Sequence, residues 1–253
     1  MAIFVFVGLF WRRAGAPVLG TGLALLSAIF LVFTFAKSAI ALTPAVLVLS
    51  WLLTLSAASW WRALLTLGPV AALSAATIGT LVFPQLASIA ASILGDASFT
   101  GRTEIWQFAI DNILTRPVTG YGYGAFWEQV FYGGGADAET WVNSIKSAHN
   151  GYLSVALDLG LPGLFLVLWW YLLRPCRDLG ASMRGRELTP LACLFVRSWL
   201  FVMLLTVFET TLYVPVPPNG LSFFVALGVF GLRYLACAKV AGEFAGASVR
   251  RVA

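Results

Sequence analysis

The sequence is short of charge. Asp, Glu, Lys and Arg make up 11% of its 253 residues, against roughly 25% in ordinary soluble domains. A water-soluble fold of this length would have too few charged side chains to cover its surface, and that class is excluded. Histidine occurs once, at His149, which argues against a histidine-rich metal site. The cysteines are Cys176, Cys193 and Cys237, without metal-like spacing; none lies in the long polar interval, so no disulfide closes it. The first apolar run, Met1 to Phe10, lacks the charged leader and small-residue cleavage site of a secretory signal. There is no internal repeat. The net charge of +5 does not point to nucleic acid, because the basic residues hug the ends of apolar runs.

What the chain has is apolar length. It is 60% hydrophobic with a mean hydropathy of +0.87, and a membrane-spanning helix needs about 20 apolar residues. The runs Gly15–Ala36, Ala39–Ser56, Leu64–Phe83, Tyr152–Leu173, Leu191–Tyr213 and Leu221–Cys237 fit that length. The expectation is an all-α, polytopic transmembrane protein of about six spans. Met1–Trp11 is too short to cross and reads as the stump of a helix whose beginning lies upstream. If the spans alternate, Arg12, Arg13, Arg62, Arg174, Arg177, Arg184, Arg186, Lys239, Arg250 and Arg251 share one side. The positive-inside rule makes that side cytoplasmic, with both termini, and turns the long loop outward. Three parts follow: residues 1–83 with three spans and the stump, 84–151 as the outer loop, and 152–253 with three spans and a cytoplasmic tail.

The loop holds the polar chemistry. Thr100 reads as an N-cap with Glu104 in the first turn behind it. Ile105, Trp106, Ala109, Ile110, Ile113 and Leu114 repeat at helical spacing up to Pro117, which predicts an amphipathic helix on the membrane surface or under the loop. Gly120-x-Gly122-x-Gly124 is not a nucleotide loop, since no strand–turn–helix unit surrounds it. It reads as a structural or glycan-facing turn, with Tyr121 and Tyr123 as stacking surfaces for sugar rings.

His149 precedes the fourth span. A histidine at a helix N-terminus is placed to accept a proton, beside a helix end that attracts phosphate. Arg102 heads the amphipathic helix, where a cation is unfavourable unless it faces an anion, and its planar donor fork suits a diphosphate. Against these stand a capping or anchoring histidine and a solvated arginine. Lys37, next to Ser38, interrupts the apolar sequence and reads either as a snorkelling lysine or as a further cation of the site. Glu209 falls inside the fifth predicted span, where an ionisable group is costly and is a site candidate or a cation's partner. Asp158 would lie on the opposite face of its helix from His149 unless Gly160-Leu161-Pro162-Gly163 breaks that helix.

The series G-R-T-E-I-W, R-P-V-T-G-Y-G-Y-G and A-H-N-G-Y-L-S-V-A-L-D-L-G-L-P-G-L resembles the O-antigen ligase and polymerase superfamily, nearest its exopolysaccharide-polymerase branch. F-E-T-T-L and P-N-G-L-S-F-F-V-A-L-G continue the likeness towards the C-terminus. The resemblance implies a GT-C-like glycosyltransferase of the bacterial inner membrane that works at the periplasmic face. It would join a glycan from an undecaprenyl diphosphate carrier to an acceptor saccharide or glycolipid, without cofactor or metal, by an inverting transfer. Partner export proteins are implied, and nucleic acid is not. Arg102 and His149 match the family's loop arginine and histidine as catalytic residues. Lys37 stands where the family usually has arginine, which keeps the charge and loses the fork. Ser38, Asn150, Tyr121, Tyr123 and Glu209 join it as substrate-binding candidates. Family members are longer, so this chain corresponds to their C-terminal half and could be an inactive fragment. The competing reading is a non-enzymatic transport component for the polysaccharide or its lipid carrier.

Overall fold

The computed structural model describes residues 1–55, 58–83, 85, 88, 92, 101–133, 147–182, 188–211 and 220–250. The helices are α1 (Ala2–Arg13), α2 (Pro17–Phe33), α3 (Lys37–Leu52), α4 (Ser59–Val82), α5 (Arg102–Thr115), α6 (Ala125–Gly133), α7 (Gly151–Leu168), α8 (Arg174–Ser182), α9 (Pro190–Leu205) and α10 (Gly220–Arg250). A π-helical turn, Trp169–Leu173, joins α7 to α8. No strand occurs among the described residues. The all-α expectation holds, and each predicted span contains a helix. By length and apolar content Ser59–Leu81 and Gly151–Ala181 can cross a membrane, and Pro17–Phe33, Lys37–Leu52 and Pro190–Leu205 are shorter apolar helices. This is a helical membrane protein.

The chain divides into two compact units. The first comprises Met1–Gly68, Trp170–Met203 and Phe223–Ala253. Here Met1–Trp11 forms α1, whose Ala2, Ile3, Val5 and Phe6 are buried, with Phe6 edge-on to Phe201 at 5.9 Å. Pro17 opens α2 at a position where its missing N–H costs nothing. Arg197, buried within α9, donates from Nε to Ser50 Oγ at 3.0 Å. Arg233 pairs with Asp178 at 3.2 Å.

The second unit comprises Pro69–Trp169 and Leu204–Ser222. Trp106, Ala109 and Ile113 of α5, Phe126 of α6, Ala148, and Leu153, Ala156 and Leu157 of α7 form its core. The amphipathic helix is packed on α7. Its N-cap is Gly101, in the left-handed conformation with no side-chain cap, in place of the expected Thr100, which lies outside the described residues. Leu114, counted on the apolar face, is exposed.

The break in α7 organises this unit. Gly160 has φ 69° and ψ −176°, and Pro162 follows. In an unbroken helix Leu161 N–H and residue 162 N–H would bond the carbonyls of Leu157 and Asp158. Proline has no N–H to give, and Leu161 N–H turns instead to the Pro117 carbonyl at 2.7 Å. The two orphaned carbonyls are met by the glycine segment: Tyr121 N–H bonds Leu157 O at 2.8 Å and Gly122 N–H bonds Asp158 O at 2.9 Å. The Leu157 and Asp158 carbonyls and the Leu161 N–H thus each keep a partner across the break. Gly120, at φ 62°, lets the segment approach: a Cβ there would lie 2.6 Å from the Asp158 carbonyl carbon. The triple glycine is a backbone splint for a broken helix.

Candidate active site

Three elements converge on one site within the second unit. Arg102, the first residue of α5, donates from one terminal nitrogen to the Phe208 carbonyl and from the other to Glu209 Oε1 at 3.0 Å. His149 Nδ1 lies 3.6 Å from Glu209 Oε2, an electrostatic contact slightly longer than a hydrogen bond. The carboxylate of Glu209 thus stands between the two cation-type groups that the sequence singled out. The side chains of Arg102, His149 and Glu209 are 24%, 44% and 38% exposed, so the cluster is anchored yet open to a ligand.

Each side chain is placed for a local reason. His149 has φ 47°, the left-handed region that a non-glycine residue enters only when its surroundings hold it there. Behind it, Asn150 caps α7: Oδ1 accepts from Tyr152 N–H at 3.0 Å and Leu153 N–H at 3.1 Å. Gly151 N–H bonds the Thr206 carbonyl at 2.8 Å. In front of it, the buried Trp106 donates from Nε1 to the Ala148 carbonyl at 3.0 Å. Asn150 is fully buried, and its Oδ1 caps the helix directly behind His149. Asn150→Ala is expected to cost about 1–2 kcal/mol of stability, read from the shift in thermal unfolding in detergent.

Glu209 departs from its expected place. The fifth predicted span ran to Tyr213, but α9 ends at Leu205 and Glu209 lies in the turn that follows. The reason is tertiary. The Thr206 and Phe208 carbonyls leave the helix to accept from Gly151 and Arg102. Burial pushes the Glu209 carboxyl up, but the adjacent His149 and Arg102 outweigh it and hold it below the ordinary glutamate range. A depressed carboxyl contributes stability above its unfolded value near 4.5 and loses it as pH falls through the lower folded value. Compared with Glu209→Gln, the wild type should therefore hold its full stability advantage well above pH 4.5 and lose it as pH falls below that value, measured as the difference in unfolding temperature. An advantage that persists in acid would contradict the assignment.

Lys37 and Ser38 open α3 in the first unit, Lys37 exposed. Tyr121 is occupied: its ring lies edge-on to Phe126 at 4.8 Å and under the Arg116 guanidinium at 4.7 Å. Its hydroxyl bonds Thr115 Oγ1 at 2.7 Å. Tyr123 is 59% exposed. Asp158 is buried inside α7 and faces the Gly124 backbone N–H. The break at Gly160 lies beyond Asp158 and so does not turn it towards His149. Sequence reasoning missed Trp106 as anything but an apolar position. The signal was its spacing of one helical turn from Arg102.

Compared with known protein families, residues 22–168 match O-antigen ligase. The matched stretch is more than half of the chain. The protein belongs to the O-antigen ligase family. Within that family stretch lie Arg102 and His149, while Glu209 lies beyond it. Among curated proteins, the exopolysaccharide production protein ExoQ of Rhizobium meliloti (strain 1021) is 32% identical over 75 residues. That match covers 28% of this chain and 17% of ExoQ, so the chain spans a small part of the relative's length. No solved structure matches this family member.

Proposed function

We propose that this chain carries the transfer site of a membrane glycosyltransferase of the O-antigen ligase or exopolysaccharide polymerase type. The carrying observation is that one carboxylate, Glu209, gathers both Arg102 and His149. Its substrates would be a glycan on a lipid diphosphate and the hydroxyl of an acceptor saccharide, met at the periplasmic face. With Nδ1 turned to Glu209, the other ring nitrogen of His149 is left to take the acceptor's proton. The acceptor oxygen then forms a bond to the anomeric carbon from the face opposite the diphosphate. The bond from that carbon to the diphosphate oxygen breaks with its electron pair, and the lipid diphosphate leaves as an anion. The anomeric configuration inverts.

Arg102 stabilises that leaving charge. A guanidinium has five N–H donors, and Phe208 and Glu209 engage one on each terminal nitrogen. The remaining donors can meet a diphosphate while Glu209 stays in place. Tyr123 is proposed as a sugar-stacking surface.

A transport component is the second reading, and the broken helix α7 favours it, since discontinuous helices line transporter sites. The Leu157 and Asp158 carbonyls at that break are already bonded by Tyr121 and Gly122, however, so they are not left to line a path, which supports the transferase. The test is an assay with the chain in membranes, a lipid-diphosphate-linked glycan and an acceptor saccharide. A new glycosidic bond, lost in His149→Ala, is the expected result. Movement of the lipid-linked glycan across vesicles with no new bond would select the transporter. Full transfer by both His149→Ala and Arg102→Ala would overturn the site.

A further inference from the structure

We propose that Trp106 is a positioning residue for His149. The indole N–H, by holding the Ala148 carbonyl, sets the backbone conformation in which the imidazole reaches Glu209. The carbonyl it binds, at 3.0 Å, belongs to the peptide unit that joins Ala148 to His149. Fixing that carbonyl fixes the plane from which the His149 side chain departs. On the far side the Asn150 cap and the bond from Gly151 N–H to the Thr206 carbonyl fix the following peptide units. His149 is pinned from both sides, which accounts for a non-glycine residue at φ 47°.

Trp106 suits this work. It is fully buried, as is Ala148, so water cannot replace the bond. It also stands four residues after Arg102, on the same face of α5. One rigid helix therefore presents the proposed diphosphate-facing cation and clamps the loop bearing the proposed base. The spacing between the two groups is then carried by secondary structure, as a preorganised site requires. The kinetic consequence rests on the transferase reading; the structural one does not.

The chain offers an unusually clean probe, because His149 is its one histidine. Protein purified through a histidine-free tag and labelled with ¹⁵N-histidine gives a single imidazole signal pair. Trp199 supplies the control: it is fully buried in the first unit and its Nε1 donates to the Tyr171 carbonyl at 2.7 Å. Trp106→Phe should split or broaden the His149 signals and abolish their response to Glu209→Gln. Trp199→Phe, which loses an indole bond that is part-buried, should leave both unchanged. Turnover in Trp106→Phe should fall roughly tenfold to a hundredfold, with the dissociation constant for the lipid-diphosphate donor unchanged. Benzothienylalanine at position 106 keeps the ring shape and deletes only the N–H, so it gives the same spectrum even where the phenylalanine variant folds poorly. Unchanged His149 signals in the benzothienylalanine protein, or equal disturbance by Trp199→Phe, would overturn the proposal. Disturbed signals in a chain that shows no transfer in any form would uphold the positioning and refute the transferase reading alone.

Discussion

Arg102→Ala is expected to lower the transfer rate by about 10²–10³-fold, a larger loss than removal of one solvated arginine would cause. Arg102 holds Glu209 Oε1 at 3.0 Å and the Phe208 carbonyl, and on the proposed mechanism it also meets the departing diphosphate. Taking it away removes the leaving group's counter-charge. It also strands a half-buried carboxylate facing the same space, where it repels the substrate. These two effects separate in a double-mutant cycle. If the stranded charge contributes, Arg102→Ala with Glu209→Gln will be faster than Arg102→Ala alone. Arg102→Lys should recover only part of the rate, since an ammonium restores charge without the planar fork that now grips two acceptors. Initial rates at varied donor concentration decide the matter. Arg102→Ala should raise KM for the lipid donor as well as lower kcat, whereas His149→Ala should act on kcat. A single-variant rate within threefold or so of wild type would remove Arg102 from the mechanism.

Gly160→Ala is expected to be the most destabilising conservative change in the second unit, at about 3 kcal/mol or more. Two costs combine. The backbone at φ 69° and ψ −176° is open to glycine and strained for alanine. A Cβ there would also run into the Val118 carbonyl, which cannot move without drawing on the bond from Leu161 N–H to Pro117 O. If the break shifts, the Leu157 and Asp158 carbonyls lose Tyr121 and Gly122 as donors, and buried carbonyls are left unpaired. Gly22→Ala in α2 is the matched control, because a Cβ at Gly22 meets nothing within 4 Å. That change should be neutral or slightly stabilising, as alanine is the better helix former. Thermal unfolding of both variants in the same detergent gives the comparison. Equal midpoints would show that the break is not a fixed feature of the fold.

Much of the architecture was legible because it is local. Apolar runs of spanning length announced the helices, and Pro117 closed the amphipathic run. Arg102 and His149 could be picked out singly, one by its unfavourable place at a helix start and the other by its place just before one. Their meeting could not. Arg102 and Glu209 are 107 residues apart, and nothing in the apolar run around Phe208 says that its backbone abandons the helix. The glycine run read correctly as a turn, but its partner in the break of α7 was out of reach of any motif.

The sequence by itself determined that this is a helical membrane protein, where most of its helices run, and which two polar residues merit suspicion. Hydrophobic length and helix-end chemistry act over one or two turns and are written along the chain. Only the tertiary structure decided that Glu209 bridges the arginine and the histidine, that Trp106 braces the histidine's backbone, and that Gly120 to Gly124 splints α7. Each of those is the completion of a hydrogen bond or ion pair between distant segments. A buried donor or acceptor must be satisfied, but the residue that satisfies it is settled only when the chain has folded.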